Sequence, residues 1–555
     1  MDPEMLYTMW LKNKLLKPEE IEYLKSIEGD EELINELFGS DLSFGTGGMR
    51  GVMGVGTSKI NGYQIARAAQ AFSNDLIRKA KGRVGNGVAI AFDTRNCSAE
   101  FAEDAARVLL GNGIGTALFL KPTSVPQLSF AIRYLGLEGG IMITASHNPK
   151  EYNGFKIYNK TGCQMTPEEA KTVTDEFMKI QMPSQIHKYV GYLRLNSIHK
   201  KIGPSNDLKF ADAVMKAKIT DDFDPEVGIV YSPLHGTGAV PVPYVFKERG
   251  FKNLWTVKEQ MEGDGEFPTV DQPNPEDHKG LKMAIDLAKE KNADIVIATD
   301  PDCDRVGLGV KDKDGEFIAL TGNQQGALLL DYIINFKKDM PENPVMVQTV
   351  VTSSFAKDIA VKAGIAVKET LVGFKYIGEY MNLCEENGEK NYIFGFEESY
   401  GSLAGTHARD KDGVSTAMVM GEMAGVYKKQ GYTILDRLDA LYKEFGYYDD
   451  EGKSFFFRGV SGMEKMGEIM QKVRDEKISE LGGEAVVQTD FLNDETGLPK
   501  ENIVRLDFSD GSFMAVRPSG TEPKLKLYFS VKGKTKEEAA ERKTRIVEDF
   551  LPYID

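Results

Sequence analysis

The chain reads as an α/β protein: three consecutive, similar α/β units with mixed sheets, followed by a smaller C-terminal α+β domain. Short, near-continuous apolar runs recur at 88–92, 139–143, 227–231, 293–298 and 344–350. Each ends in a polar or glycine-rich stretch, and helical patterns lie between them, as expected of strands covered on both faces. At 555 residues the chain is too long for one core, so roughly three to five domains are expected. Beyond about residue 440 the pattern changes to strands joined by a short turn.

In chain order, residues 1–40 read as helical, with Pro18-Glu19-Glu20 opening a helix. Proline suits the first turn, and acids suit the positive end of the dipole. Phe44-Gly45-Thr46-Gly47-Gly48-Met49-Arg50-Gly51 reads as a glycine-rich loop. Its backbone can approach a ligand closely and Arg50 offers an anion-binding fork, although glycine-rich turns without ligands are common. Helical patterns at 65–81 and 99–110 flank the 88–92 strand, which ends in Asp93-Thr94-Arg95. The 139–143 strand then delivers Thr144-Ala145-Ser146-His147-Asn148-Pro149 to a loop.

The same plan recurs. The 227–231 strand ends in Ser232-Pro233-Leu234-His235-Gly236-Thr237-Gly238. After a helical pattern at 280–291, the 293–298 strand ends in Thr299-Asp300-Pro301-Asp302-Cys303-Asp304-Arg305, and 344–350 runs into Val351-Thr352-Ser353-Ser354. Boundaries near 205 and 323 give domains 1–205 (with 1–40 a helical extension), 206–323 and 324–445. Gly446-Tyr447-Tyr448-Asp449-Asp450-Glu451-Gly452 reads as a linker to a fourth domain, 446–555. In that domain, 503–508 and 513–517 form a hairpin across Ser509-Asp510-Gly511-Ser512, and a strand at 524–531 and a charged final helix complete it.

Composition bounds the function. Hydrophobic content of 41% with 27% charged residues is that of a globular protein. A formal charge of −16 argues against general nucleic-acid binding and against docking on an anionic membrane. Six histidines are few for a metal-rich protein, so carboxylates are the expected metal ligands. Cys97, Cys163, Cys303 and Cys384 form no C-x-x-C pair, no basic-then-apolar leader is visible and no run is long enough to span a bilayer; the expected location is cytoplasmic.

Three readings compete for Ser146: a plain turn, a hydrolase nucleophile, or a serine that carries a phosphoryl group. The hydrolase reading lacks the flanking glycines of a nucleophile elbow, since Thr144 and Asn148 stand there. His147 is a poor base for its own neighbour if the backbone is extended, because adjacent side chains then point to opposite faces.

Asp300, Asp302 and Asp304 alternate just beyond a buried strand. Three converging carboxylates repel unless a hard cation lies between them, and Mg²⁺ suits oxygen ligands with positions open for phosphate. An EF-hand needs glycine and glutamate at its sixth and twelfth positions, where Arg305 and Lys311 stand. Asp300 as nucleophile of a phosphatase, and a solvated acidic turn, are the other readings. Gly395-Phe396-Glu397-Glu398-Ser399-Tyr400-Gly401 offers carboxylates to sugar hydroxyls, or is an ordinary acidic loop. Arg517-Pro518-Ser519-Gly520-Thr521-Glu522-Pro523 gathers a guanidinium, two hydroxyls and a glycine amide, a set complementary to phosphate.

The combination T-A-S-H-N-P, D-P-D-C-D-R, G-F-E-E-S and R-P-S-G-T-E-P, in this order from about residue 40 to the C-terminus, resembles the α-D-phosphohexomutases, which include phosphoglucomutases, phosphomannomutases and phosphopentomutases. The resemblance implies four domains around a central cleft and an intramolecular phosphotransferase of the isomerase class. It implies that Ser146 is phosphorylated and that Asp300, Asp302 and Asp304, with the Ser146 phosphate, hold one Mg²⁺ per chain. Glu397 and Ser399 would bind sugar hydroxyls, and Arg517, Ser519, Gly520 and Thr521 the non-reacting phosphate. Arg50, His147, Lys156 and Arg305 match positions near the reacting phosphoryl group; Lys375 and Lys411 resemble basic residues of the third domain, with Lys156 and Lys411 ahead of His147 as proton carriers. The implied substrate is a small phosphosugar, with glucose 1-phosphate and glucose 6-phosphate first and ribose, deoxyribose or mannose phosphates as alternatives. Glucose 1,6-bisphosphate is the implied activator. Phe396, where glycine often precedes the sugar-loop glutamate, resembles the branch that contains phosphopentomutases and glucose-1,6-bisphosphate synthases as well as bacterial phosphoglucomutases. A monomer or weak dimer is expected, and a non-catalytic sugar-phosphate sensor is the non-enzymatic alternative.

Overall fold

The computed structural model describes residues 2–554 apart from 14–15, 45–46, 458–461 and 520–523. The chain forms two compact units: Met1–Lys218 with Pro225–Ala319 and Gly401–Gly421, and Ile219–Asp224 with Leu320–Tyr400 and Glu422–Asp555. Three α/β domains with mixed sheets and a C-terminal antiparallel domain are present, as the sequence predicts.

In the first unit, helices Pro3–Trp10, Pro18–Ser26 and Glu31–Phe38 pack on the first α/β domain. Trp10 is their anchor: its ring meets Phe38 and Tyr63 edge-on at centroid distances of 5.5 and 5.1 Å. Gly139–Ile143 lies parallel to Val88–Phe92, which pairs in parallel with Thr116–Phe119, and His199–Ile202 follows at the edge. On its other side Gly139–Ile143 pairs antiparallel with Tyr152–Asn159, which in turn pairs with Gly48–Val52.

The second domain repeats this plan. Gly228–Ser232 lies parallel to Asn253–Thr256 and Ile295–Thr299, and Ile295–Thr299 pairs antiparallel with Val306–Lys311. Ser146 and the aspartate triplet therefore sit on equivalent elements, each in the connection between a fully buried strand and the antiparallel strand that returns beside it. These return strands have no helix before them, so strand–helix alternation in the sequence does not mark them.

The glycine-rich stretch is corrected by the fold. Gly48–Val52 is a strand, and the space that the absent Cβ of Gly48 leaves is taken by the Phe155 carbonyl, 2.2 Å from where that Cβ would stand. Close backbone approach is thus to a neighbouring strand, and no ligand is needed to explain the glycine. Gly45 and Thr46 lie outside the described residues.

In the second unit, Pro344–Thr349 is flanked in parallel by Ala366–Thr370 and Asn391–Phe396. The predicted C-terminal hairpin is Val504–Phe508 with Phe513–Pro518, and Phe513–Pro518 pairs onward with the long strand Lys524–Gly533. The expected linker is a second correction: Tyr447–Asp449 is a strand paired with Val531–Gly533, and Lys453–Phe456 pairs with the other end of the same strand. Tyr447-Tyr448-Asp449 has no period-two alternation to mark it as a strand, and it becomes one only because the ten-residue strand Lys524–Gly533 offers it an edge.

Asp450, in the turn between those two strands, accepts a hydrogen bond from Ser353 Oγ at 2.7 Å. Burial pushes its carboxyl up to about 6, against the opposing pull of the Ser530 and Ser353 hydroxyls. A carboxyl raised above its unfolded value stabilises the fold below that unfolded value, and the stabilisation is lost as pH rises towards the folded one. Asp450→Asn cannot ionise, so its stability relative to the parent is expected to improve by up to about 3 kcal/mol between pH 4 and pH 7. Melting temperatures of both proteins at pH 4.5 and 7.5 check this; an equal gap at the two pH values contradicts it.

Among the described residues no helix is long and apolar enough to cross a membrane.

Candidate active site

Ser146 adopts a left-handed backbone, φ +53°. For a non-glycine residue this costs on the order of 1–3 kcal/mol, and the surroundings must enforce it. Its N–H donates to Thr144 Oγ1 at 2.8 Å, and Thr144 Oγ1 donates to the buried Asp93 carboxylate at 2.6 Å. Ser146 Oγ then donates to Asp300 Oδ2 at 2.8 Å. The turn also overturns the expectation for His147. Because the backbone is not extended, the two neighbouring side chains meet, and His147 Nδ1 lies 3.2 Å from Ser146 Oγ. Burial and the Arg305 and Arg50 guanidinium groups hold this imidazole well below its ordinary value, so it is neutral near pH 7 and resists protonation.

The carboxylates of Asp300, Asp302 and Asp304 are all buried, with one oxygen of each within 4.8 Å of the others. The tight turn that gathers them is held by Asp300 Oδ1, which accepts the Asp304 and Arg305 N–H groups at 3.0 Å each. Cys303, left-handed at φ +54°, reverses the chain between the second and third acids. From the other side, Thr237 donates through both N–H and Oγ1 to the Pro301 carbonyl at 2.9 and 2.8 Å. The Ser232–Gly238 motif thus buttresses the metal loop: a Cβ on Gly236 would stand 2.5 Å from Pro301 Cα.

Lys156 Nζ lies 3.0 Å from Asp302 Oδ2, and Lys411 Nζ lies 3.1 Å from Asp304 Oδ2. Burial and mutual repulsion push Asp300 well above the usual carboxylate range. Burial opposes ionisation of Asp302 too, but Lys156 and Lys411 outweigh it and hold that carboxyl below the usual range. Asp302 Oδ1 and Asp304 Oδ1 are buried with no hydrogen-bond partner among the described residues. Two buried anionic oxygens without donors are costly, and a hard cation is the group that matches them. The triplet therefore fits a metal ion.

Of the other predicted residues in this unit, Arg50 donates to Asn148 Oδ1 at 2.8 Å, and Arg305 pairs with Glu276 at 2.5 Å. Lys411 lies in Gly401–Gly421, a segment that packs in the same compact unit as Ser146. Tyr158 marks the same docking, its hydroxyl donating to Asp410 at 2.9 Å.

In the second unit, Glu397 is buried and accepts the Gly373 N–H at 3.0 Å, which sets it beside the helix Phe374–Asn387 and its second residue, Lys375. Ser399 follows in the turn after Asn391–Phe396 and is partly exposed. Phe396 is buried, stacked on Phe394 at 5.6 Å and pressed against Gly326, so it packs the core and leaves the sugar loop to its neighbours. Arg517 Nε donates to Glu501 at 3.0 Å, and Glu501 with the Tyr528 hydroxyl fixes the guanidinium at the end of its strand. The Ser519 N–H donates to the Lys524 carbonyl at 2.8 Å. Gly520 and Thr521 lie outside the described residues.

Four family models match in order: the α/β/α domains I, II and III of phosphoglucomutase/phosphomannomutase at residues 41–184, 209–315 and 321–445, and the C-terminal domain at 468–549. A phosphoglucomutase of Staphylococcus epidermidis is 36% identical over 508 residues, covering 88% of this chain and 90% of that one. The chain belongs to the phosphoglucomutase/phosphomannomutase family. A phosphoglucomutase of Staphylococcus aureus is 34% identical over 521 residues, covering 90% of this chain and 91% of its own.

Solved structures of the same fold include pp63/parafusin, a phosphoglucomutase from Paramecium (TM-score 0.67, 19% identity, 93% of this chain and 96% of that one). A phosphoglucomutase/phosphomannomutase family protein from Burkholderia thailandensis gives a TM-score of 0.66 at 17% identity over 92% of this chain and 97% of that one. Membership of the phosphoglucomutase/phosphomannomutase family makes the chain an enzyme of the isomerase class. Sequence reasoning missed Asp93 and Thr144, the pair that holds the Ser146 amide. The signal was present as polar residues directly after two neighbouring buried strands.

Proposed function

We propose that this chain is a phosphoglucomutase that interconverts α-D-glucose 1-phosphate and glucose 6-phosphate through a phosphoserine at 146. The observation that carries the reading is Ser146 Oγ at 2.8 Å from Asp300, inside a buried triplet with two unpartnered carboxylate oxygens. The names of the relatives support it. Phosphoserine 146 gives its phosphoryl group to the free hydroxyl of a hexose monophosphate; the Oγ–P bond breaks as the sugar O–P bond forms, and the sugar proton passes to a basic group. The bisphosphate turns over and its other phosphate returns to Ser146, so glucose 1,6-bisphosphate primes an unphosphorylated enzyme.

Asp300, Asp302 and Asp304 would hold one Mg²⁺, which when bound neutralises charge on the transferring phosphoryl group. Lys156 and Lys411 offset the triplet's charge and lie within reach of the same oxygens. His147 is brought to Ser146 Oγ by the turn, with Lys156 and Lys411 ahead of it as proton carriers. Glu397 and Ser399 bind sugar hydroxyls, and Arg517 with Ser519, Gly520 and Thr521 takes the phosphate that does not react. The setting is cytoplasmic.

A coupled assay with Mg²⁺ and catalytic glucose 1,6-bisphosphate, comparing glucose 1-phosphate with ribose 1-phosphate, tests the proposal. Faster conversion of the hexose supports it, and preference for the pentose overturns the substrate. Arg517→Ala is expected to raise KM by roughly 10- to 150-fold, the loss of a charge-assisted contact of about 1.5–3 kcal/mol. An unchanged KM contradicts that role.

A further inference from the structure

Asp93-Thr94-Arg95 follows the Val88–Phe92 strand, the parallel neighbour of the strand that leads to Ser146. Arg95 is only 3% exposed, and its two terminal nitrogens share one target, the backbone of the Ser146 connection. Nη2 donates to the Ser146 carbonyl at 2.6 Å and to the Asn148 carbonyl. Nη1 donates to the carbonyls of Pro149 at 2.7 Å and Tyr152 at 3.1 Å. These four carbonyls span the whole passage from the serine to the first residue of the returning strand.

Arg95 is itself anchored. Its N–H donates to Asp93 Oδ1 at 3.0 Å, its Nε lies 3.4 Å from Asp93 Oδ2, and its guanidinium stands 5.0 Å from the Phe267 ring centre. The same Asp93 carboxylate holds Thr144 Oγ1, which accepts the Ser146 N–H. One buried ion pair thus grips the turn on both sides, the amide through Thr144 and the carbonyls through Arg95. A surface turn needs no such device, because its own backbone bonds and water satisfy it. Burying a charged pair to hold a turn is understandable where that turn must keep a left-handed residue in one orientation.

We propose that Arg95 is a positioning residue for phosphoryl transfer, fixing the left-handed Ser146 turn so that Oγ stays aimed at Asp300. The inference rests on the reading of Ser146 as the phosphoryl carrier. In the priming step the Oγ–P bond forms as a sugar O–P bond of the bisphosphate breaks, and the serine proton passes to the sugar oxygen. Arg95 touches neither atom; it sets where Oγ stands.

The test is Arg95→Lys, which keeps the charge but places a single ammonium where a planar fork spanned four carbonyls. Unphosphorylated full-length wild type and variant are mixed with glucose 1,6-bisphosphate, phosphate on Ser146 is followed by mass spectrometry, and kcat and KM are measured alongside. The expected result is a parallel fall of roughly 100-fold in labelling rate and kcat, the size of effect that a displacement of about 1 Å produces, with KM little changed. Labelling at the wild-type rate, or a raised KM with kcat intact, overturns the inference. Should Arg95→Lys fail to fold, Asp93→Asn decides: it loosens the anchor while leaving the guanidinium, and the labelling rate is expected to fall with KM unchanged, whereas wild-type labelling overturns the proposal. Wild type that never acquires phosphate on Ser146 refutes the phosphoserine reading instead, and does so before any variant is made.

Discussion

Ser146→Ala is expected to lower turnover by roughly 10⁴- to 10⁶-fold, the scale on which enzymes lose activity with their nucleophile. That corresponds to about 5–8 kcal/mol of transition-state stabilisation. The fold is expected to survive. The hydroxyl packs little, and its removal deprives Asp300 Oδ2 of one donor while the two backbone N–H groups on Asp300 Oδ1 remain. Losing one donor to a buried carboxylate costs about 1–3 kcal/mol, so a modest fall in melting temperature is expected. The coupled assay and a melting curve check both halves. Near-normal rates would remove Ser146 from the reaction, and outright unfolding would make it a structural residue.

Removal of divalent metal carries the second large effect. Chelation is expected to abolish turnover and added Mg²⁺ to restore it, because the triplet holds two buried carboxylate oxygens that no donor among the described residues satisfies. The same site predicts a stability effect. Mg²⁺ at about 100 times its dissociation constant should stabilise the protein by about 2.7 kcal/mol, through binding to the folded state alone. Asp302→Asn should lose both responses. Its amide would present N–H to Lys156, which now lies 3.0 Å from a carboxylate oxygen, or turn that N–H into the oxygen cluster. A melting temperature that ignores Mg²⁺ in the wild type, or an Asp302→Asn variant that still responds, would place the metal elsewhere.

Much of this was legible in the sequence for local reasons. The five apolar runs became strands because a run of that length bounded by turn residues has few other ways to bury itself. The aspartates could be grouped before any fold was known, since alternate positions in a tight turn after a strand bring carboxylates to one point. The hairpin across Ser509-Asp510-Gly511-Ser512 was read from turn chemistry next to period-two strands. The four motifs, taken together, pointed to the family.

What the sequence could not supply depends on partners distant in the chain. Gly48–Val52 and Tyr447–Asp449 are strands because edges of Tyr152–Asn159 and Lys524–Gly533 were left for them to pair with, and neither segment has enough intrinsic preference to announce it. Lys411 reaches Asp304 only because Gly401–Gly421 packs with the first two domains. The meeting of His147 with Ser146 requires a left-handed serine, and the serine is left-handed because Asp93, Thr144 and Arg95 surround it. Sequence alone thus determined which segments are strands with chemistry at their ends, since that is settled by burial and residues a few positions apart. Tertiary structure decided how Ser146 is aimed and which cations face the aspartates, since a strained turn and a buried charge persist only where separate elements converge to hold them.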